Sequence, residues 1–246
     1  MENVDIHTHI GTQPTDDRAY ATADLLRMMD DAGVQHALCA HWGAIRYDAR
    51  EGNREAVRIC ATSPRLWPVA VINPAPHVGV RDTIQEAVAL GCVGFRLMPG
   101  PHTWEPSGAA AARAFEWLDD AGLPTAIEIG AAGQATAVAT ATAGASLPVI
   151  LAGVNYALLG EAIAVLERHA HCYLEASRLC TPGVVEVLCE TVGSNRILFG
   201  SGAPEWHIRP TMAMIEGSEI TSGATEAILG GNAQRLYRLG SREMAP

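Results

Sequence analysis

The six cysteines of this chain, Cys39, Cys60, Cys92, Cys172, Cys180 and Cys189, include no C-x-x-C pair. A paired-thiol redox site is therefore excluded, and most of the thiols sit in apolar runs such as Leu38-Cys39-Ala40. They read as reduced, buried residues of a cytosolic protein. No basic start followed by an apolar run precedes the first strand, so no secretory signal is expected. No run of about 18 uninterrupted apolar residues exists, which excludes a helical membrane span. Basic residues are in the minority: 17 Lys and Arg stand against 27 Asp and Glu, a formal net charge of −10. Nucleic acid and anionic membrane are poor partners for such a surface, because phosphate binding needs clustered cations. A small-molecule substrate is not excluded, since a site can differ from the surface around it.

What the chain does have is repetition. An apolar strand followed by a helical pattern recurs eight times in 246 residues. The strands are expected at 4–9, 34–40, 66–72, 92–98, 125–129, 148–154, 171–176 and 196–199. The helices fall near 22–33, 51–62, 80–90, 108–121, 133–143, 157–169 and 183–192, with the last at 208–216 and 221–238. Gly33, Gly91 and Gly122 close helices, as glycine does where the chain turns left-handed. Strands alternating with helices imply parallel strands joined by right-handed crossovers. Eight units favour one α/β domain over 1–246, closed as a single (β/α)8 TIM barrel. A doubly wound open sheet is the runner-up. It would want a glycine-rich phosphate loop after the first strand, and Gly11 alone is not one.

In a barrel the residues just after the strands gather at one end, which carries the chemistry. Residues two apart on a strand share a face, so Asp5, His7 and His9 are expected to point together into the barrel. Two imidazoles about 7 Å apart along a strand can converge on a cation. An apolar barrel places three polar groups there only with a role or good partners for them.

At these residues the sequence resembles the amidohydrolase superfamily, in its decarboxylase-like branch. The resemblance rests on Asp5-Ile6-His7-Thr8-His9, Gly94-Phe95-Arg96-Leu97, Leu123-Pro124-Thr125-Ala126-Ile127-Glu128 and Leu147-Pro148-Val149-Ile150-Leu151-Ala152-Gly153. Arg196-Ile197-Leu198-Phe199-Gly200-Ser201-Gly202-Ala203-Pro204 and Leu229-Gly230-Gly231-Asn232-Ala233 complete it. It implies a barrel that binds Zn²⁺ or a similar ion through two first-strand His, a fifth-strand His and an eighth-strand Asp. A sixth-strand His would contact substrate or activate water. Only His7 and His9 match. The other three positions hold Glu128, Gly153 and Gly202, and a glycine brings neither ligand nor base.

Two enzymatic readings follow. In one, His7, His9 and Glu128 hold a divalent metal, Zn²⁺ first and Mn²⁺ or Fe²⁺ after it, for hydrolysis or decarboxylation of a small carboxylated or carbonyl-containing molecule. The base would then be Glu175 or His207. In the other no metal is held. An Arg96–Glu128 pair replaces its charge, and His7, His9, His41 and Glu175 do acid–base work in a lyase, isomerase or cyclase. A third reading is a barrel that binds a small molecule without turning it over. Around the mouth, His41, Trp42, His102, Trp104, Asn155, Tyr156, Arg178 and Glu205, with Trp206 and His207, suit the walls of a small organic ligand site. Asp16-Asp17, Asp30-Asp31 and Asp119-Asp120 read as solvated charges near helix ends. Related barrels often pair, so a homodimer is an expectation, although no residue marks its contact.

Overall fold

The computed structural model describes residues 2–13 and 18–240, with backbone alone at 18–20. Asp16 and Asp17 lie outside the described residues. The apolar runs form the expected strands: β1 (Val4–Gln13), a short β2 (Arg18–Tyr20), β3 (His36–His41), β4 (Leu66–Val71), β5 (Gly94–Leu97), β6 (Thr125–Glu128), β7 (Val149–Ala152), β8 (Cys172–Glu175) and β9 (Ile197–Leu198). β2 turns back antiparallel on β1 and was not anticipated. The other eight are parallel in the order β1-β3-β4-β5-β6-β7-β8-β9. The two ends of that sheet join. Ile6 N–H donates to Phe199 O (3.1 Å), Gly202 N–H to His7 O (2.8 Å) and His9 N–H to Ala203 O (2.8 Å).

Helices cover the outside: α1 (Thr22–Ala32), α3 (Ala49–Cys60), α4 (Val80–Ala89), α6 (Ala109–Ala121), α7 (Gln134–Ala141), α8 (Leu159–Arg168), α9 (Val184–Thr191) and α10 (Ile208–Glu216). Two short ones, α2 (Trp42–Arg46) and α5 (Pro99–His102), follow β3 and β5 directly and line the mouth. At the end come α11 (Ser222–Glu226), a π turn (Ala227–Gly231) and α12 (Asn232–Tyr237). Gly33 and Gly122 take the left-handed conformation, at φ 71° and 67°, where their helices stop.

Period-two alternation sorts the core into two layers. Phe95, Leu97, Ile127 and Leu151 face out under the helices, in one continuous cluster. Val4, Ile6, Leu38, Val69, Ala126, Ile150 and Leu198 fill the barrel interior, with Tyr237 of α12. A Cβ on Gly94 would lie 2.6 Å from the Tyr237 ring, so the floor plug needs a glycine there. Of the cysteines, Cys39, Cys60, Cys92 and Cys172 are buried as expected, but Cys180 is exposed and Cys189 half-buried; none of the six is in a disulfide. Asp30 and Asp119 are bound rather than merely solvated. Asp30 pairs with Arg65, and Asp119 accepts from the backbone N–H of Ser146 and Leu147. No helix of the described residues is long and apolar enough to cross a membrane.

One carboxylate fixes a helix start in a way that can be tested. Glu161 of α8 accepts from Gly133 N–H (2.7 Å), Thr136 N–H (2.8 Å) and Thr136 Oγ1 (2.7 Å) at the start of α7. Burial raises its pKa, but these donors outweigh burial and the net direction is downward. Its contribution is therefore complete above the unfolded carboxyl pKa, about 4.3, and is lost as pH falls through the lower folded value. Glu161→Gln should cost about 1 kcal/mol at pH 7, the usual size of a lost cap. In thermal melts the gap from wild type should close below about pH 4. A gap that widens on acidification would contradict the assignment.

Candidate active site

The first strand does not run straight into the site. Its pairing with β3 is regular at Val4 and Asp5 and resumes, shifted, at Thr8. Such a bulge changes which face a side chain takes. Val4 and Ile6 face the barrel interior at the floor. Beyond the bulge His7 and His9 face the interior at the mouth, their ring centroids 5.2 Å apart and nearly perpendicular. Asp5 does not join them, contrary to the simple period-two expectation. Its carboxylate accepts from Ser201 N–H, Ser201 Oγ and His7 N–H. Burial pushes its pKa up to about 7, against those hydrogen bonds. Asp5 thus ties the bulge to the last strand rather than presenting a group to a ligand.

Glu175 ends β8 and is completely buried. His7 Nδ1 stands 3.2 Å from Glu175 Oε2. Ser177 gives the same carboxylate its N–H (2.6 Å to Oε1) and its Oγ–H (2.8 Å to Oε2). Burial raises the Glu175 pKa, but His7, Ser177 and the charge of Arg96 bring it below the ordinary value. Glu175 is therefore ionised at neutral pH. It holds the Nδ1 proton of His7 and leaves Nε2 as the open nitrogen.

His9 has no hydrogen-bond partner on either nitrogen, although it is buried. Trp42 lies against it at 4.6 Å, and Glu205 Oε2 is 3.8 Å from its Nδ1. Burial first, then the positive charges of His7, Arg96, Arg178 and Arg46, hold its pKa well below the ordinary value. Arg96 points inward from β5, 2% exposed. Its Nη2 donates to Ile6 O at 3.1 Å, while Nε and Nη1 have no partner. Six of the nine buried, unpartnered polar side-chain atoms among the described residues belong to His9, Trp42, Arg96 and His102. Buried polar atoms are nearly always paired, so this concentration marks the place where a ligand would complete the hydrogen bonding.

Several expectations are corrected. Arg96 and Glu128 form no ion pair within 4.0 Å. Glu128 instead leans over Gly153, whose added Cβ would lie 3.1 Å from Glu128 Cγ. His207 is exposed, as the N-cap residue of α10. Trp104 packs in the outer core, 6.5 Å from Phe115, and lines no wall. Asn155 and Tyr156 are exposed, and Asn155 Oδ1 serves its own turn by accepting from Ala157 N–H. His102 donates Nε2–H to Ile45 O, which fixes α5 to α2. His41 accepts from Gly43 N–H to cap α2. Its imidazole lies on Gly11, where a Cβ would come within 2.3 Å of Nε2. Trp42, Arg178 and Glu205 do stand around His9. Ser177 and Ser201 carry no signal of their own in the sequence, although each adjoins a strand-end motif, in Glu175-Ala176-Ser177 and Gly200-Ser201-Gly202.

The metal expectation can be tested on the same atoms. Among the described residues no group of three or more His, Cys, Asp or Glu is disposed to hold a metal ion. His7 Nδ1 is engaged by Glu175, and Glu128 does not converge on the imidazoles. The residues present therefore do not make a three-ligand cage. All 17 basic residues are arginine, so no lysine is available as a nucleophile or a metal bridge.

A family profile described as amidohydrolase matches residues 4–239. The chain belongs to the amidohydrolase family. Solved structures with the same fold include 2,6-dihydroxybenzoate decarboxylase complexed with 2,6-dihydroxybenzoate, at 14% identity and TM-score 0.79 over 97% of this chain and 99% of that one. A dihydroxybenzoic acid decarboxylase from Polaromonas sp. JS666, with bound manganese and 2-nitroresorcinol, is 15% identical at TM-score 0.78, over 97% of each chain. The 5-carboxyvanillate decarboxylase of Sphingomonas paucimobilis is 14% identical at TM-score 0.74, over 96% of this chain and 99% of that one. At these identities the likeness is one of fold. No curated protein matches the sequence.

Proposed function

We propose that this amidohydrolase-family barrel is a lyase acting on a small carboxylate, with decarboxylation as its reaction class. The observation that carries the reading is Arg96: a buried guanidinium whose Nε and Nη1 have no partner, beside an ionised Glu175 and two imidazoles. A guanidinium fork matches a carboxylate. The decarboxylase activity of the similar structures supports the same class.

Each residue then has a role. Arg96 orients the substrate. His7, with Nδ1 held by Glu175, exchanges a proton through Nε2. When the carbon–carbon bond breaks, its electron pair stays on the substrate carbon. A proton from His7 takes up that pair, and carbon dioxide leaves. His9 stays neutral and lies against Trp42, a low-polarity wall that would keep water out. Arg96→Gln should weaken carboxylate binding by about 30- to 100-fold, the scale of a charged hydrogen bond lost in a buried site. The direct assay is carbon dioxide release from 2,6-dihydroxybenzoate and related benzoates. If no carboxylate is turned over and none raises the melting temperature, the reading is wrong.

A second reading keeps a divalent metal, for decarboxylation or hydrolysis. It is favoured by the two free nitrogens of His9 and by the manganese in similar structures. Elemental analysis of protein purified without added metal separates the two. Near-stoichiometric manganese, zinc or iron, removable with loss of turnover, would displace the metal-independent reading.

A further inference from the structure

The charges of three guanidiniums reach His9 in a chain whose net charge is −10. Arg96 rises from the floor, Arg46 ends α2 and Arg178 follows β8. All three act on His9 through space. Seven other arginines, at 27, 50, 54, 58, 65, 113 and 209, pair with carboxylates. Within the described residues the three at the mouth have no such ion pair. The nearby carboxylates are spoken for in part: Glu175 by His7 and Ser177, Asp5 by Ser201.

The rim arginines rest on aromatic faces instead. Arg178 lies 4.1 Å over the Trp206 ring and Arg46 5.6 Å over Trp42. Stacking uses the face of a guanidinium and leaves its in-plane N–H edge free for an anion. Trp206 in turn is seated on Gly202, at φ 79°, where an added Cβ would lie 3.2 Å from the indole. The glycine at this position thus opens the place in which the indole carries Arg178.

We infer that the substrate is a dianion: one carboxylate lies against Arg96, and a second anionic group is taken at the rim by Arg178, which Trp206 positions. This rests on the carboxylate reading of Arg96 given above. The test uses matched probes, benzoate with isophthalate and butyrate with glutarate, titrated calorimetrically into the full chain. The dicarboxylate of at least one pair should bind wild type tenfold or more tightly than its partner. Arg178→Gln should remove that advantage while changing the monocarboxylate by less than threefold, and Arg178→Lys should retain part of it. Trp206→Leu should reduce the advantage several-fold and guards against a misfolded Arg178 variant. Equal binding within both pairs, with loss of benzoate in Arg96→Gln, would overturn the dianion while leaving the carboxylate reading standing. Equal weakening of both probes in Arg178→Gln would overturn it also. Binding of no probe would overturn both readings.

Discussion

Glu175→Gln should lower turnover about a thousandfold, with the loss in kcat rather than KM. The substitution keeps the size of the side chain and removes one charge. Four donors point at that carboxylate: Ser177 N–H, Ser177 Oγ–H, His7 Nδ1 and, at 3.5 Å, Gly153 N–H. A carboxamide has one oxygen, and its NH₂ must face one of those donors. If it faces His7, the imidazole must carry its proton on Nε2 instead, and the nitrogen open to the substrate changes character. If it faces Ser177, the β8 terminus loses its anchor. General acid–base groups contribute about 10²–10⁴ in rate, which sets the expected size. Substrate binding through Arg96 is left in place, hence the small change in KM. Glu175→Asp restores the charge but not the reach, and should recover part of the loss. A Glu175→Gln enzyme within tenfold of wild type in kcat would remove His7 and Glu175 from the chemistry.

Gly200→Ala should damage stability and activity together. An added Cβ would lie 2.2 Å from Glu175 Oε1, 2.7 Å from its Cδ and 2.8 Å from His7 Cβ. Neither neighbour can retreat, since Glu175 is held by Ser177 and His7 is fixed in β1 by its backbone bond to Gly202. Overpacking of this kind costs about 1–3 kcal/mol. For a domain of this size that is a drop of roughly 2–12 °C in Tm, at about 2–4 °C per kcal/mol. Gly160→Ala is the control: nothing lies within 4 Å of its added Cβ on α8, and its Tm should hold or rise slightly. Equal melting temperatures for Gly200→Ala and wild type would show that the Glu175 seat is looser than its distances say.

The barrel was legible because its signal is redundant. Eight apolar runs at strand length, each followed by a helical pattern, leave few other topologies. The short pieces were not legible: β2, α2 and α5 have too few residues to show a period, and α2 starts inside what reads as a strand exit at His41-Trp42. Around the mouth, period two puts His7, His9 and Arg96 on the interior face, and the rule fails at one point. A bulge between Asp5 and Thr8 carries no mark in Asp5-Ile6-His7-Thr8, so Asp5 was assigned to the wrong face. Glu128 was placed correctly on its strand, but its partner was not. Pairing across strands depends on a step of height, and Arg96 lies level with Ala126 rather than Glu128. Asn155, Tyr156 and Trp104 were chosen by position after a strand, which says where a loop begins and not which way its side chains turn.

The bonds that close the barrel also set a timetable. β1 carries both imidazoles, and along Ile6–His9 its edge away from β3 is bonded by residues 199–203, nearly two hundred positions later. Asp5 waits for Ser201 in the same way. Contacts so distant along the chain form late and slowly. A ribosome emitting this protein would therefore expose His7 and His9 in an unfinished strand until the last segment emerges. Competence should be acquired in one late step, and a nascent chain stopped before residue 199 should have helices and most of a sheet but no assembled site.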